Sequence, residues 1–196
     1  MTDLRNCQNC CDTPDAEERA LLSAWKLGDV TAGITFARRH DGALRRFFST
    51  KVFRDDDLPA LGRAALLSLR DSGPWSNVRA ELYHQAYVAL HDYLATATGD
   101  ASGVGTTSAE GLGTSVFRDL TGTQRHVIDA LRRLPLERQI VLELLHWENL
   151  TATELAAVMG WSADEVERCR RRATRQLRAE LRDPTARTEH AVTHVH

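Results

Sequence analysis

The sequence predicts an all-α protein of two helical lobes joined by a flexible linker. Apolar residues recur almost everywhere at spacings of three and four, and no stretch alternates with period two between hairpin turns. Residues 96–116 interrupt this pattern: thirteen of these 21 are Gly, Ser or Thr, and no apolar stripe survives there. The chain has 196 residues, 42% hydrophobic and 27% charged, which excludes wholesale disorder and leaves room for one medium domain or two small ones.

The first lobe is expected over 15–95, after a disordered cysteine-containing tail over 1–14. Thr13-Pro14-Asp15 has the order of an N-cap, a proline at the first helical position and an acid in the first turn. The helix that follows carries Leu21, Leu22 and Trp25 and should stop at Gly28. A second helix is predicted over Ala32–His40 and a third over Ala43–Phe53, with Leu44, Phe47 and Phe48 on one side. Leu58–Leu69 and Val78–Leu94 supply two more, divided by Ser72-Gly73-Pro74. Pro59 is acceptable only in a first helical turn, so its helix must begin near Leu58.

The second lobe is expected over 117–182, with a flexible tail over 183–196. It opens with Thr123–Leu134, and Pro135 starts a helix whose apolar set is Ile140, Val141, Leu144, Leu145 and Trp147. Two short elements follow, each opened by the same device. Thr151-Ala-Thr-Glu154 and Ser162-Ala-Asp-Glu165 both fit the capping box, in which hydroxyl and glutamate satisfy backbone N–H groups reciprocally. Met159-Gly160-Trp161 between them places a glycine where a left-handed backbone is wanted. A capped helix, a glycine turn and a second capped helix form the helix-turn-helix plan, with Leu155, Ala156 and Val158 expected to pack on Val166, Ala173 and Leu177.

The formal net charge of -2 conceals an asymmetry. Residues 164–182 hold seven Arg against four acids, and the only lysines in the chain are Lys26 and Lys51. Arginine suits bidentate contacts with phosphate and guanine. Arg168, Arg171, Arg172 and Arg175 share one face of the second helix of the pair, where like charges repel unless a polyanion is present. Glu167 beside them either accepts from a cytosine amine or restrains Arg171 at i+4. Arg170 falls where an apolar residue would help packing, with Cys169 available for the buried place.

The run from Leu134-Pro135 through Leu144-Leu145, Thr151–Glu154, Gly160 and Ser162–Arg168 resembles region 4 of the extracytoplasmic-function sigma factors of bacterial RNA polymerase. The first lobe is similar to region 2 of that family in Leu21–Asp29, in His40 with Leu44–Phe48, and in Asp55-Asp56-Asp57-Leu58. The resemblance implies a factor that binds core RNA polymerase and directs promoter-specific initiation. It also implies promoter DNA and an anti-sigma factor as partners. By the same resemblance Glu167, Arg168, Arg171 and Arg172 face bases; Arg175, Thr151 and Thr153 are further candidates for DNA contact, and Asp55, Asp56, Asp57 and Leu58 for polymerase contact.

Two departures from the family stand out. Leu58-Pro59-Ala60-Leu61-Gly62 replaces its usual clamp-binding helix start, and Tyr83–Leu94 contains no Arg or Lys where the family's strand-capturing segment is basic. Trp75, Tyr83, Tyr87 and Tyr93 are the candidates for stacking on unpaired bases, although Tyr83 and Tyr87 at i, i+4 equally fit an amphipathic core stripe. Two other readings stay open: a stand-alone helix-turn-helix regulator of duplex DNA, and a partner-binding, metal-responsive module. Cys7, Cys10 and Cys11 have metal-ligand spacing but supply at most three thiolates, so no metal site is expected. No nucleophile elbow, phosphate-cradling loop or dinucleotide fingerprint occurs, so no catalytic residue and no cofactor are expected. No apolar run approaches the ~20 residues that span a bilayer. The chain start lacks the basic-then-apolar order of a secretion signal, which predicts a cytoplasmic protein with no membrane partner.

Overall fold

The computed structural model describes residues 13–52, 54–99 and 122–182. Among them are eight α-helices, one 3-10 turn at Asp55–Asp57 and no strand. The described residues form two compact units, one of 13–45 with 56–99, the other of 46–52 and 54–55 with 122–182. The second unit thus includes residues 46–52 and 54–55, which lie inside the 15–95 lobe expected from the sequence. Among the described residues no helix is long and apolar enough to cross a membrane.

In the first unit, α1 (Thr13–Lys26) ends as its glycine requires. Gly28 takes φ +103°, its N–H donates to the Trp25 carbonyl at 2.9 Å, and Asp29 N–H donates to the Ala24 carbonyl at 2.9 Å. The Asp29 carboxylate accepts from Thr31 and Ala32 N–H at 2.9 and 3.1 Å and so caps α2 (Val30–Ser49). The two helices expected over this stretch are one. Gly42 costs about 1 kcal/mol within a helix, too little to break one whose buried stripe continues on both sides through Phe36, Leu44, Phe47 and Phe48. Gly33 is needed for another reason: a Cβ there would lie 2.5 Å from the Trp25 ring.

Helix α3 (Leu58–Ser72) starts where Pro59 demands and buries Leu58, Leu61, Ala65 and Leu69. It lies along α4 (Val78–Gly99), whose start is capped by Asn77 Oδ1 accepting from Ala80 N–H at 2.9 Å. Helix α4 buries Val78, Ala80, Leu82, Tyr83, Ala86 and Leu90 and continues to Gly99, past the expected start of the linker at residue 96. The remainder of that linker, and both expected tails save Thr13 and Pro14, lie outside the described residues.

The second unit holds α5 (Gly122–Arg132), α6 (Leu136–His146), α7 (Ala152–Met159) and α8 (Ala163–Arg182). Leu131, Leu134, Leu142 and Ala173 form a buried cluster, flanked by Val127, Trp147 and Leu177. Ala173 and Leu177 therefore pack toward the helices around Pro135, and not toward α7 as their spacing suggested. An eight-residue helix is too short to cover a partner of 20 residues, so α5 and α6 cover the rest. After α6, Asn149 takes the left-handed conformation at φ 52°, and Leu150 N–H reaches back to the Leu144 carbonyl at 2.9 Å.

This unit also buries charge. Lys51 forms an ion pair with Glu143, with side chains 0% and 2% exposed. Lys51 Nζ also donates to Thr50 Oγ1 at 2.9 Å, and Gln139 Nε2 donates to Glu143 Oε1 at 2.9 Å. Arg132 Nη2 donates to the Ser49 carbonyl at 3.1 Å. Burial pushes the Lys51 amine below its usual range, and the Glu143 carboxylate opposes that shift.

Candidate nucleic-acid interface

Helix α7 begins with a complete capping box. Thr151 N–H and Oγ1 donate to Glu154 Oε2 at 2.7 and 2.8 Å, and Glu154 N–H donates back to Thr151 Oγ1 at 3.2 Å. The turn follows at once: Gly160 has φ 67°, with its N–H and that of Trp161 both directed to the Ala156 carbonyl. Helix α8 repeats the device. Ser162 N–H and Oγ donate to Glu165 Oε2 at 2.8 Å each, and Glu165 N–H donates to Ser162 Oγ at 3.3 Å. These hydrogen bonds to the charged form hold the Glu165 carboxyl below the ordinary glutamate range, the Ser162 N–H being the largest cause.

Helix α8 buries Val166 and Ala173 and turns its other side outward. Arg168, Arg171, Arg172 and Arg175 are turned outward, Arg171 with 63% of its side chain exposed. Among the described residues no carboxylate pairs with Arg168, Arg172 or Arg175. The outward guanidiniums therefore form a positive surface about 10 Å long, at a rise of ~1.5 Å per residue. The same face continues through Arg178 and Arg182, which line one groove with Arg171 and Arg175. Those two are absent from the sequence candidates, although their spacing of three and four prolongs the stripe. Arg133 Nε meets Glu180 at 2.8 Å, and Arg138 hydrogen-bonds Gln176, so α8 is tied down on its protein-facing side.

The candidate side chains are not equally available. Glu167 does not stand open for a base: its carboxylate accepts from Arg170 Nε and Nη2, both at 2.7 Å, and lies 3.3 Å from Arg171 Nε. That pairing with Arg170 holds its carboxyl below the ordinary range. It also explains Arg170, which curls back on the preceding turn without entering the core, while Cys169 is half-buried and its thiol is pushed up by burial. The Thr151 hydroxyl is used in both directions by its cap, so Thr153, exposed beside it, is the better placed of the two.

In the first unit, Tyr83 is only 2% exposed, because α4 packs that side against the core; it is no platform for a base. Trp75 Nε1 donates to the Leu69 carbonyl at 2.7 Å, and Tyr87 lies edge-on to His91 at 4.4 Å. Leu58, expected as a polymerase contact, is 3% exposed, because the first turn of α3 faces inward. Asp57 Oδ2 accepts from the Tyr93 hydroxyl at 2.8 Å, Asp55 is half-buried, and Asp56 is the exposed member of the acidic run. Cys7, Cys10 and Cys11 lie outside the described residues.

Solved structures share this arrangement of helices. CnrH, solved in complex with the cytosolic domain of CnrY, superposes with a TM-score of 0.62 at 20% identity, over 84% of this chain and 97% of that one. The sigma factor RpoE, solved in complex with the anti-sigma factor NepR from Bartonella quintana, gives 0.55 at 18% identity, over 72% and 91%. The fold is theirs. Neither the protein-family models nor the curated proteins give a match to this chain.

Proposed function

We propose that this chain is a sigma factor of the extracytoplasmic-function type: it binds core RNA polymerase and directs initiation at promoters whose distal element α8 reads in the major groove. The observation that carries the reading is the outward arginine face on a helix entered through a capped helix and a left-handed glycine, within a fold shared with the sigma factor RpoE. A helix in that position presents its N-terminal half to base edges while the preceding helix meets the backbone. Arg168, Arg171 and Arg172 then reach bases, and Arg175 and Thr153 reach phosphate. Asp56 is the first candidate for a polymerase contact, being the exposed acid before α3. An anti-sigma factor is the expected inhibitor, since the RpoE structure holds one. The protein acts in the cytoplasm and carries no catalytic site on this reading. The domain scheme of a region 2-like lobe, a Gly/Ser/Thr linker and a region 4-like lobe belongs to the same proposal.

Run-off transcription with core polymerase tests it. The proposal expects a promoter-directed transcript that depends on this chain; duplex binding with no transcript would overturn it. That outcome would favour a duplex-binding regulator that does not melt DNA. One observation already points that way: α4 carries a single Lys or Arg, Arg79, and buries Tyr83, so little of it suits capture of an unpaired strand.

A further inference from the structure

Helix α8 is longer than base reading requires. Its 20 residues span about 30 Å, whereas the major groove is about 12 Å wide, so the C-terminal half must emerge from the groove. Among the described residues no carboxylate pairs with Arg175, Arg178 or Arg182 in that half. Arg171, Arg175, Arg178 and Arg182 follow at spacings of four, three and four, which puts them within about 60° of one another at ~100° per residue. They lie on the side opposite Val166, Ala173 and Leu177, and with Thr174 and Ala179 they line one open groove. The acid in this half of the helix, Glu180, is drawn away by Arg133 at 2.8 Å. Such a ladder of like charges costs a free helix about 0.2–0.5 kcal/mol per adjacent pair. A polyanion of matching spacing removes that cost. Capping explains only part of the ladder: a cation in the last turn complements the helix dipole, which accounts for Arg182 but leaves Arg175 and Arg178 without that role.

We propose that Arg178 and Arg182, continuing from Arg175, form a phosphate track that holds the DNA backbone flanking the recognised element, independent of its sequence. The track extends by two residues the interface argued above and rests on that reading of α8. Its charge matches the duplex, where one strand offers a phosphate every 3.4 Å or so of axis, so that the ~10 Å from Arg175 to Arg182 faces about three of them. Guanidiniums at such positions add affinity and salt dependence without discrimination.

The test uses the full chain and a pool of random-sequence duplexes of about three helical turns, with affinity followed as salt is raised from about 50 to 200 mM. For R178A/R182A the slope of log affinity against log salt should fall by about 1.8, at ~0.9 per phosphate contact. Discrimination between any preferred duplex and the pool should stay unchanged. R178K/R182K should restore the slope, because a phosphate contact needs charge and not the guanidinium fork. Circular dichroism should show undiminished helicity for the alanine variant, alanine being the best helix former. An unchanged slope in R178A/R182A, alongside salt-dependent binding by the unmodified chain, overturns the track and leaves the base-reading face standing. An altered preference among sequences also overturns it. A chain that binds no duplex even at about 50 mM salt defeats the track and the parent reading together.

Discussion

Gly160 shows how one residue sets the geometry of the candidate interface. Its φ of 67° lies in the left-handed region, and a Cβ built there meets nothing within 4 Å. Gly160→Ala should therefore cost only backbone strain, about 1–2 kcal/mol, read as a shift in the urea midpoint at constant slope. Gly33 is the contrasting case. Its Cβ would collide with the Trp25 ring at 2.5 Å, so Gly33→Ala should destabilise the first unit by displacing that indole. On α8, Arg171→Ala and Arg172→Ala should each weaken specific duplex binding by about 1–3 kcal/mol if the side chains are bidentate to guanine. A salt-titrated gel shift measures this, and equal loss on all sequences would assign them to phosphate. At this scale the sequence was most legible where the backbone chooses the residue: both capping boxes and both left-handed glycines stand where spacing placed them. It was least legible where two roles compete for one side chain. Glu167 had arginines at i+3, i+4 and beyond, and only the rotamers decide that Arg170 takes its carboxylate.

The elements add what no single residue carries. Helix α6 looked like an ordinary amphipathic helix, yet it buries Gln139 and Glu143 within its apolar side. Lys51, the partner of Glu143, sits 92 positions from it, a distance over which periodicity carries no information. A buried pair of this kind costs far more to break than to replace. Lys51→Met or Glu143→Leu alone should destabilise the second unit by about 3–5 kcal/mol, and the double replacement should recover most of that loss in a double-mutant cycle. The cap of α8 gives a pH prediction. The Glu165 carboxyl titrates lower in the folded chain than in the unfolded one, so its contribution is complete at neutral pH. That contribution is lost as pH falls through the lowered value, and in Glu165→Gln this part of the acid dependence should disappear from the melting curve. Helix α2 marks a limit of boundary reading: two helices, Ala32–His40 and Ala43–Phe53, were expected where the buried stripe from Phe36 to Phe48 runs through one.

For the whole molecule, fold class was fully legible, since an all-α protein declares itself through period alone. Which helix packs on which was only partly legible. Ala173 and Leu177 have the right spacing to face α7 or the α5–α6 pair, and helix length decides in favour of the latter. The electrostatics follow the same division. A net charge of -2 describes the chain as a whole, while α8 carries an uninterrupted arginine face. On the proposed function, such a face should make duplex affinity fall steeply with salt. The most direct measurement sequences the duplexes that the chain, together with core polymerase, retains from a random pool. The unmodified chain should enrich one motif, and R171A/R172A should lose it. Enrichment of the same motif by that variant, or no enrichment by the unmodified chain, would contradict base reading by α8.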